Sequence, residues 1–122
     1  MAKDESKLWQ DVKKNIKQIS FTRLESWASA GVPDLLCYNE KGKFFTIELK
    51  VTKSKKLVFS PHQIAFHVRH PHNTFVLKKS PGPCAVKLYE GSMILELKAR
   101  GVVLEPRATG FDEIKKILVN VT

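Results

Sequence analysis

Three side chains in this sequence have types and spacing that can do chemistry. Asp34 closes the run Gly31-Val32-Pro33-Asp34, and Glu48 and Lys50 lie in Thr46-Ile47-Glu48-Leu49-Lys50. Two carboxylates held close together bind a hard divalent cation through oxygen, with water completing the shell. A lysine beside them can position or polarise an attacking water and offset charge on a phosphate. The set suits metal-assisted hydrolysis of a phosphodiester.

The surrounding elements must bring these residues together. Lys43 to Val51 reads as a strand, with Phe45, Ile47, Leu49 and Val51 on one face and Glu48 and Lys50 on the other. Asp34 heads the apolar run Leu35-Leu36-Cys37-Tyr38, part of a strand expected over 32–38, and Asn39-Glu40-Lys41-Gly42 is a polar turn. The segment is a β-hairpin with one acid on each arm. The competing reading makes Asp34 a turn residue after proline, and Glu48 and Lys50 a solvated face with cross-strand pairing. The position of Asp34 at the head of an apolar strand weakens it, and a charged pair opposite an apolar face is costly unless it has a task.

The pattern resembles the PD-(D/E)xK nuclease superfamily. Pro33-Asp34 matches the first half of its motif and Glu48-Leu49-Lys50 the second. The likeness runs from about Glu5 to Leu77: a helix with an early Glu, a strand carrying Arg23, Gly-x-Pro-Asp, Glu-Leu-Lys, and a helix opening with Ser60-Pro61-His62-Gln63. Small phage-type nucleases, VRR-NUC domains and archaeal Holliday-junction resolvases share this layout. The resemblance implies Asp34 and Glu48 as ligands of Mg²⁺ or Mn²⁺, the Leu49 backbone carbonyl as a third ligand, and Lys50 near the phosphate. Many relatives carry a further acid, for which Glu5 and Glu25 both qualify. Gln63 stands where it can hydrogen-bond an active-site carboxylate or a phosphate. His62 is expected to face solvent.

Composition agrees with a partner of negative charge. The 122 residues suffice for one domain, and a net charge of +9 with a pI near 9.7 favours polyanions such as DNA, RNA or an acidic membrane surface. Lys53, Lys55 and Lys56 follow the Glu-Leu-Lys strand directly and are expected, with Arg23, to contact DNA phosphates. Other pairs, such as Lys78-Lys79, read as solubilising or as part of a dimer interface. No apolar run approaches the roughly 20 residues of a membrane span, and no secretory core follows Met1, so an intracellular protein is expected, in host cytoplasm if phage-encoded. Cys37 and Cys84 sit in apolar segments and read as buried thiols. His62, His67, His70 and His72 lack the cysteine spacing of a structural zinc site.

Apolar periodicity predicts a helix over 6–19, a strand over 21–27, the hairpin above, a helix from Pro61 to about His70, strands over 74–77 and 85–89, and helices over 92–99 and 111–118. This order predicts an α/β three-layer sandwich, a central mixed β-sheet flanked by helices, which is also the restriction-endonuclease-like core that the resemblance implies. The expected activity is that of a metal-dependent endodeoxyribonuclease on branched DNA, working as a homodimer. Its rivals are a flap, nick or general repair nuclease and a non-catalytic DNA-binding module. An RNA-processing protein fits the charge but would need aromatic RNP motifs or a Gly-x-x-Gly loop, and neither occurs.

Overall fold

The computed structural model describes residues 3–24, 30–83 and 85–122. Helix α1 (Lys3–Asn15) is followed by strands β1 (Ser20–Arg23), β2 (Leu35–Tyr38) and β3 (Phe44–Val51). Helix α2 (Pro61–Arg69) leads to β4 (Thr74–Lys79) and β5 (Val86–Glu90). Helix α3 (Ile94–Arg100), β6 (Ala108–Thr109) and α4 (Phe111–Val119) complete the chain. The strands form one six-stranded sheet in the order β1-β2-β3-β4-β5-β6. Only the β3–β4 pair is parallel, as its connection through α2 requires; the other pairs are antiparallel.

Strand alternation divides the core into two layers of side chains. Leu35, Ile47, Leu49, Phe75, Leu77 and Leu88 point to one face and pack with Leu8, Trp9 and Val12 of α1 and with Ile114 and Leu118 of α4. Val76 and Tyr89 point to the other face and pack with Leu57, Phe59, Ile94 and Leu97, and with Ile64 of α2. The result is the three-layer α/β sandwich, with helices on both faces of a mixed sheet. Truncating a fully buried leucine of either layer, such as Leu49, would cost roughly 2–5 kcal/mol.

The boundaries depart from those the sequence pattern predicts. Helix α1 stops at Asn15, yet Ile16 and Ile19 remain buried in the irregular segment that follows. Strand β2 begins at Leu35 rather than at Val32. The helix expected from Ser92 is a 3-10 turn at 91–93 leading into α3. Strand β6 has no counterpart in the sequence pattern, because a pair of residues is too short to show alternation. The strand expected to extend to Trp27 is seen as far as Arg23, and residues 25–29 lie outside the described residues.

Candidate active site

The site is built where β2 and β3 run side by side. Leu35 pairs with Ile47, so Asp34 falls opposite Glu48, on the sheet face that looks toward α2 and α3. The Leu49 backbone N–H donates to Asp34 Oδ2 at 2.8 Å. The carboxylate thus extends the ladder beyond the end of β2 and is fixed beside Glu48. Gly31 sets the approach to this point. Its φ of +82° belongs to the left-handed region, and a Cβ there would run into the His62 carbonyl at the start of α2.

Glu48 is only 3% exposed. Burial holds its proton far above the usual carboxylate range; a hydrogen bond with Asp34 and the negative charges of Asp34 and Glu5 push the same way, against the pull of Lys50. Glu48 Oε1 is buried and has no hydrogen-bond partner among the described residues. A buried acceptor left unpaired beside a second carboxylate is destabilising by itself. Asp34 and Glu48 fit a hard cation, which would supply both the missing partner and the missing positive charge.

Lys50 lies two residues along β3 on the same face. Its Nζ donates to Gln63 Oε1 at 3.0 Å and stands 5.1 Å from the centre of the Phe59 ring. Gln63 is held by the start of α2. Ser60 Oγ accepts from the Gln63 N–H at 3.1 Å, while Gln63 Oε1 accepts from the Ser60 N–H at 3.0 Å. This is a capping box, with Pro61 at the first helical turn. The glutamine therefore reaches the lysine of the site, where the sequence pointed to a carboxylate or a phosphate as its partner.

Of the two candidate extra acids, Glu5 in the first turn of α1 is close enough for its charge to act on Glu48, and Glu25 lies outside the described residues. Lys53, Lys55 and Lys56 are exposed on the loop leaving β3. The loop is pinned by Thr52 Oγ1 donating to the Lys56 carbonyl at 2.9 Å and by the Val102 N–H donating to the Lys55 carbonyl at 2.9 Å. Arg23 is not brought to this group. It pairs with Leu35, so its side chain leaves β1 toward the α1 and α4 layer, opposite Glu48. Among the described residues no set of three or more His, Cys, Asp or Glu is grouped to hold a metal, so a cation at Asp34 and Glu48 needs backbone oxygen or water to complete its shell.

His62 is exposed. His67 is fully buried, with Nδ1 2.9 Å from the Gln63 carbonyl, and burial lowers its pKa. Cys37 is a buried free thiol, pushed far up by its apolar surroundings, and Cys84 lies outside the described residues. Lys78, which the sequence places among the solubilising charges, belongs instead to the face of the site. It pairs in register with Lys50 and is 1% exposed. No helix among the described residues is long and apolar enough to cross a membrane.

Neither a protein-family profile nor a curated protein sequence matches the chain. Solved structures do. The Hjc Holliday junction resolvase of the archaeal hyperthermophile Archaeoglobus fulgidus superimposes with a TM-score of 0.54 at 20% identity, over 75% of this chain and 76% of that one. The structure of SSO0001 aligns over 85% of this chain and 60% of that one, at 17% identity and a TM-score of 0.40. The first likeness establishes a shared fold, an α/β sandwich of the restriction-endonuclease kind.

Proposed function

We propose that this protein is a Mg²⁺- or Mn²⁺-dependent endodeoxyribonuclease that hydrolyses phosphodiester bonds in branched DNA. The observation that carries the reading is Glu48: a buried carboxyl with an unpaired oxygen, set against Asp34 and two residues from Lys50 on the same face of β3. A cation between the two carboxyls accounts for these features together.

In this reading Asp34, Glu48 and the Leu49 backbone carbonyl hold the metal. When bound, the cation supplies Lewis-acid polarisation of the phosphate and lowers the pKa of water. Asp34 is oriented by the Leu49 N–H. Lys50 is oriented by Gln63 and offsets negative charge at the scissile phosphate as it builds. Glu5 tunes the charge at Glu48. Lys53, Lys55 and Lys56 hold the DNA backbone without reading bases.

The archaeal resolvase with this fold supports branched DNA as the substrate. A junction has paired strands to cut, so a two-fold homodimer is the economical arrangement. The test compares cleavage of four-way, flap, linear duplex and single-stranded DNA with Mg²⁺, Mn²⁺ or EDTA. The expected result is metal-dependent cutting with preference for the four-way junction. Equal cutting of linear duplex by a monomer would replace the resolvase reading with a general repair nuclease. DNA binding without cleavage in either metal would leave a binding module.

A further inference from the structure

Lys78 is buried to 1% exposure, yet no carboxylate lies within salt-bridge distance of it among the described residues. It sits in register between Lys50 of β3 and Lys87 of β5, so lysine stems cross three adjacent strands on the face that carries the acids. Burial, then the charge of Lys87, push its amine down to about 8. A buried ammonium without a counter-ion is destabilising, and a methionine of similar length would fill the space without that penalty. The arrangement lacks an anion.

The Lys78 ammonium donates to Ser80 Oγ at 2.5 Å. An ammonium has only donors, so Ser80 accepts and its own O–H remains free to donate. Ser80 lines an open groove of about 270 Å³ together with Lys7, Thr52, Lys53, Lys79 and Asp4. The groove lies at the carboxyl ends of the parallel pair β3 and β4, where ligands of open α/β sheets collect. Its Thr52 and Lys53 follow closely on Lys50 in the chain. Asp4 is the one carboxylate in the lining among the described residues, and Lys79 is only loosely paired with Asp11, at 3.9 Å.

We propose that this groove, on the α1 side of the sheet, is a second phosphate subsite, where a DNA backbone phosphate other than the scissile one accepts a hydrogen bond from the Ser80 hydroxyl, with Lys7, Lys53 and Lys79 around it and Lys78 bonded to Ser80 from the other face. The identity of the polyanion rests on the nuclease reading; the subsite itself rests on the buried charge and the free hydroxyl.

The test is fluorescence anisotropy of labelled duplex and four-way DNA in EDTA, across a salt series, so that binding is read without cleavage. Lys78→Met is expected to weaken binding roughly fivefold while keeping the salt slope, since Lys7, Lys53 and Lys79 still neutralise the phosphate. Ser80→Ala is expected to weaken binding roughly fivefold, and Ser80→Thr, which keeps the hydroxyl, to bind like wild type. Wild-type binding by Ser80→Ala or by Lys78→Met overturns the subsite and leaves the nuclease reading standing. If Lys78→Met fails to fold, the Ser80 pair decides. Failure of the wild-type protein to bind any DNA overturns both.

Discussion

Gln63 Oε1 accepts hydrogen bonds from both the Ser60 backbone N–H and the Lys50 ammonium, each at 3.0 Å. One side chain thereby joins the cap of α2 to the lysine of the candidate site. Removing it should act on both. Gln63→Ala is expected to lose about 1 kcal/mol of stability in urea unfolding and to slow single-turnover cleavage roughly tenfold. Gln63→Glu keeps the acceptor and should recover most of the stability. A Gln63→Ala protein that is destabilised yet cuts at the wild-type rate would show that the glutamine caps the helix without orienting Lys50.

Glu48 makes a prediction with a definite sign. Its folded pKa is raised above the ordinary value of 4.5. Above that pH the unfolded chain releases the proton while the folded chain keeps it. The folded state then binds more protons, so in metal-free protein this group's contribution to stability is greatest at low pH and is lost as pH rises from about 4.5 toward the raised folded pKa. Thermal unfolding in EDTA across this range should show the decline, and Glu48→Gln should flatten it. Mn²⁺ should raise the wild-type Tm at neutral pH and leave Glu48→Gln unmoved. An equal Mn²⁺ shift in both proteins would place the cation elsewhere.

The hairpin, its acids and the cap of α2 are legible in the sequence because each depends on local pattern. Alternation puts Glu48 and Lys50 on one face, and Ser60-Pro61 marks a helix start wherever it precedes an apolar periodic run. Register is not legible. The parallel pairing of β3 with β4 aligns Lys78 with Lys50, and nothing in Lys78-Lys79 as a sequence tells which neighbour it will meet. Arg23 illustrates the same limit: a one-residue difference in register decides which face a side chain takes, and pairing with Leu35 sends it away from Glu48. The partner of Gln63 is hidden because it depends on how α2 docks over β3.

Gly31 tests the geometry that brings the hairpin to α2. Its positive φ and its approach to the His62 carbonyl leave no room for a side chain. Gly31→Ala is expected to destabilise by roughly 2 kcal/mol or more, and its activity should fall even at temperatures where it remains folded. Unchanged stability in calorimetry would mean that the turn relaxes freely and does not position Asp34.

The loop leaving β3 carries exposed positive charge just beyond the strand that holds Glu48 and Lys50. Neutralising Lys53, Lys55 and Lys56 together to Gln should weaken binding to every DNA alike. It should also reduce the salt slope by about 0.9 for each phosphate that these lysines neutralise. Stability should change by no more than about 0.5 kcal/mol, since these side chains are exposed. A slope equal to wild type would move the DNA track to another face.

The most direct measurement is single-turnover cleavage of a four-way junction with Mn²⁺, comparing wild type with Glu48→Gln. The substitution keeps the shape of the buried acid and removes its capacity to become a carboxylate ligand. Wild type is expected to cut with Mn²⁺ and to stop in EDTA. Glu48→Gln is expected to stay folded and bind the junction, but to cut roughly a thousandfold more slowly or worse. Wild-type cleavage by a folded Glu48→Gln protein, or undiminished cleavage by wild type in EDTA, would contradict a metal-dependent nuclease built on Asp34 and Glu48.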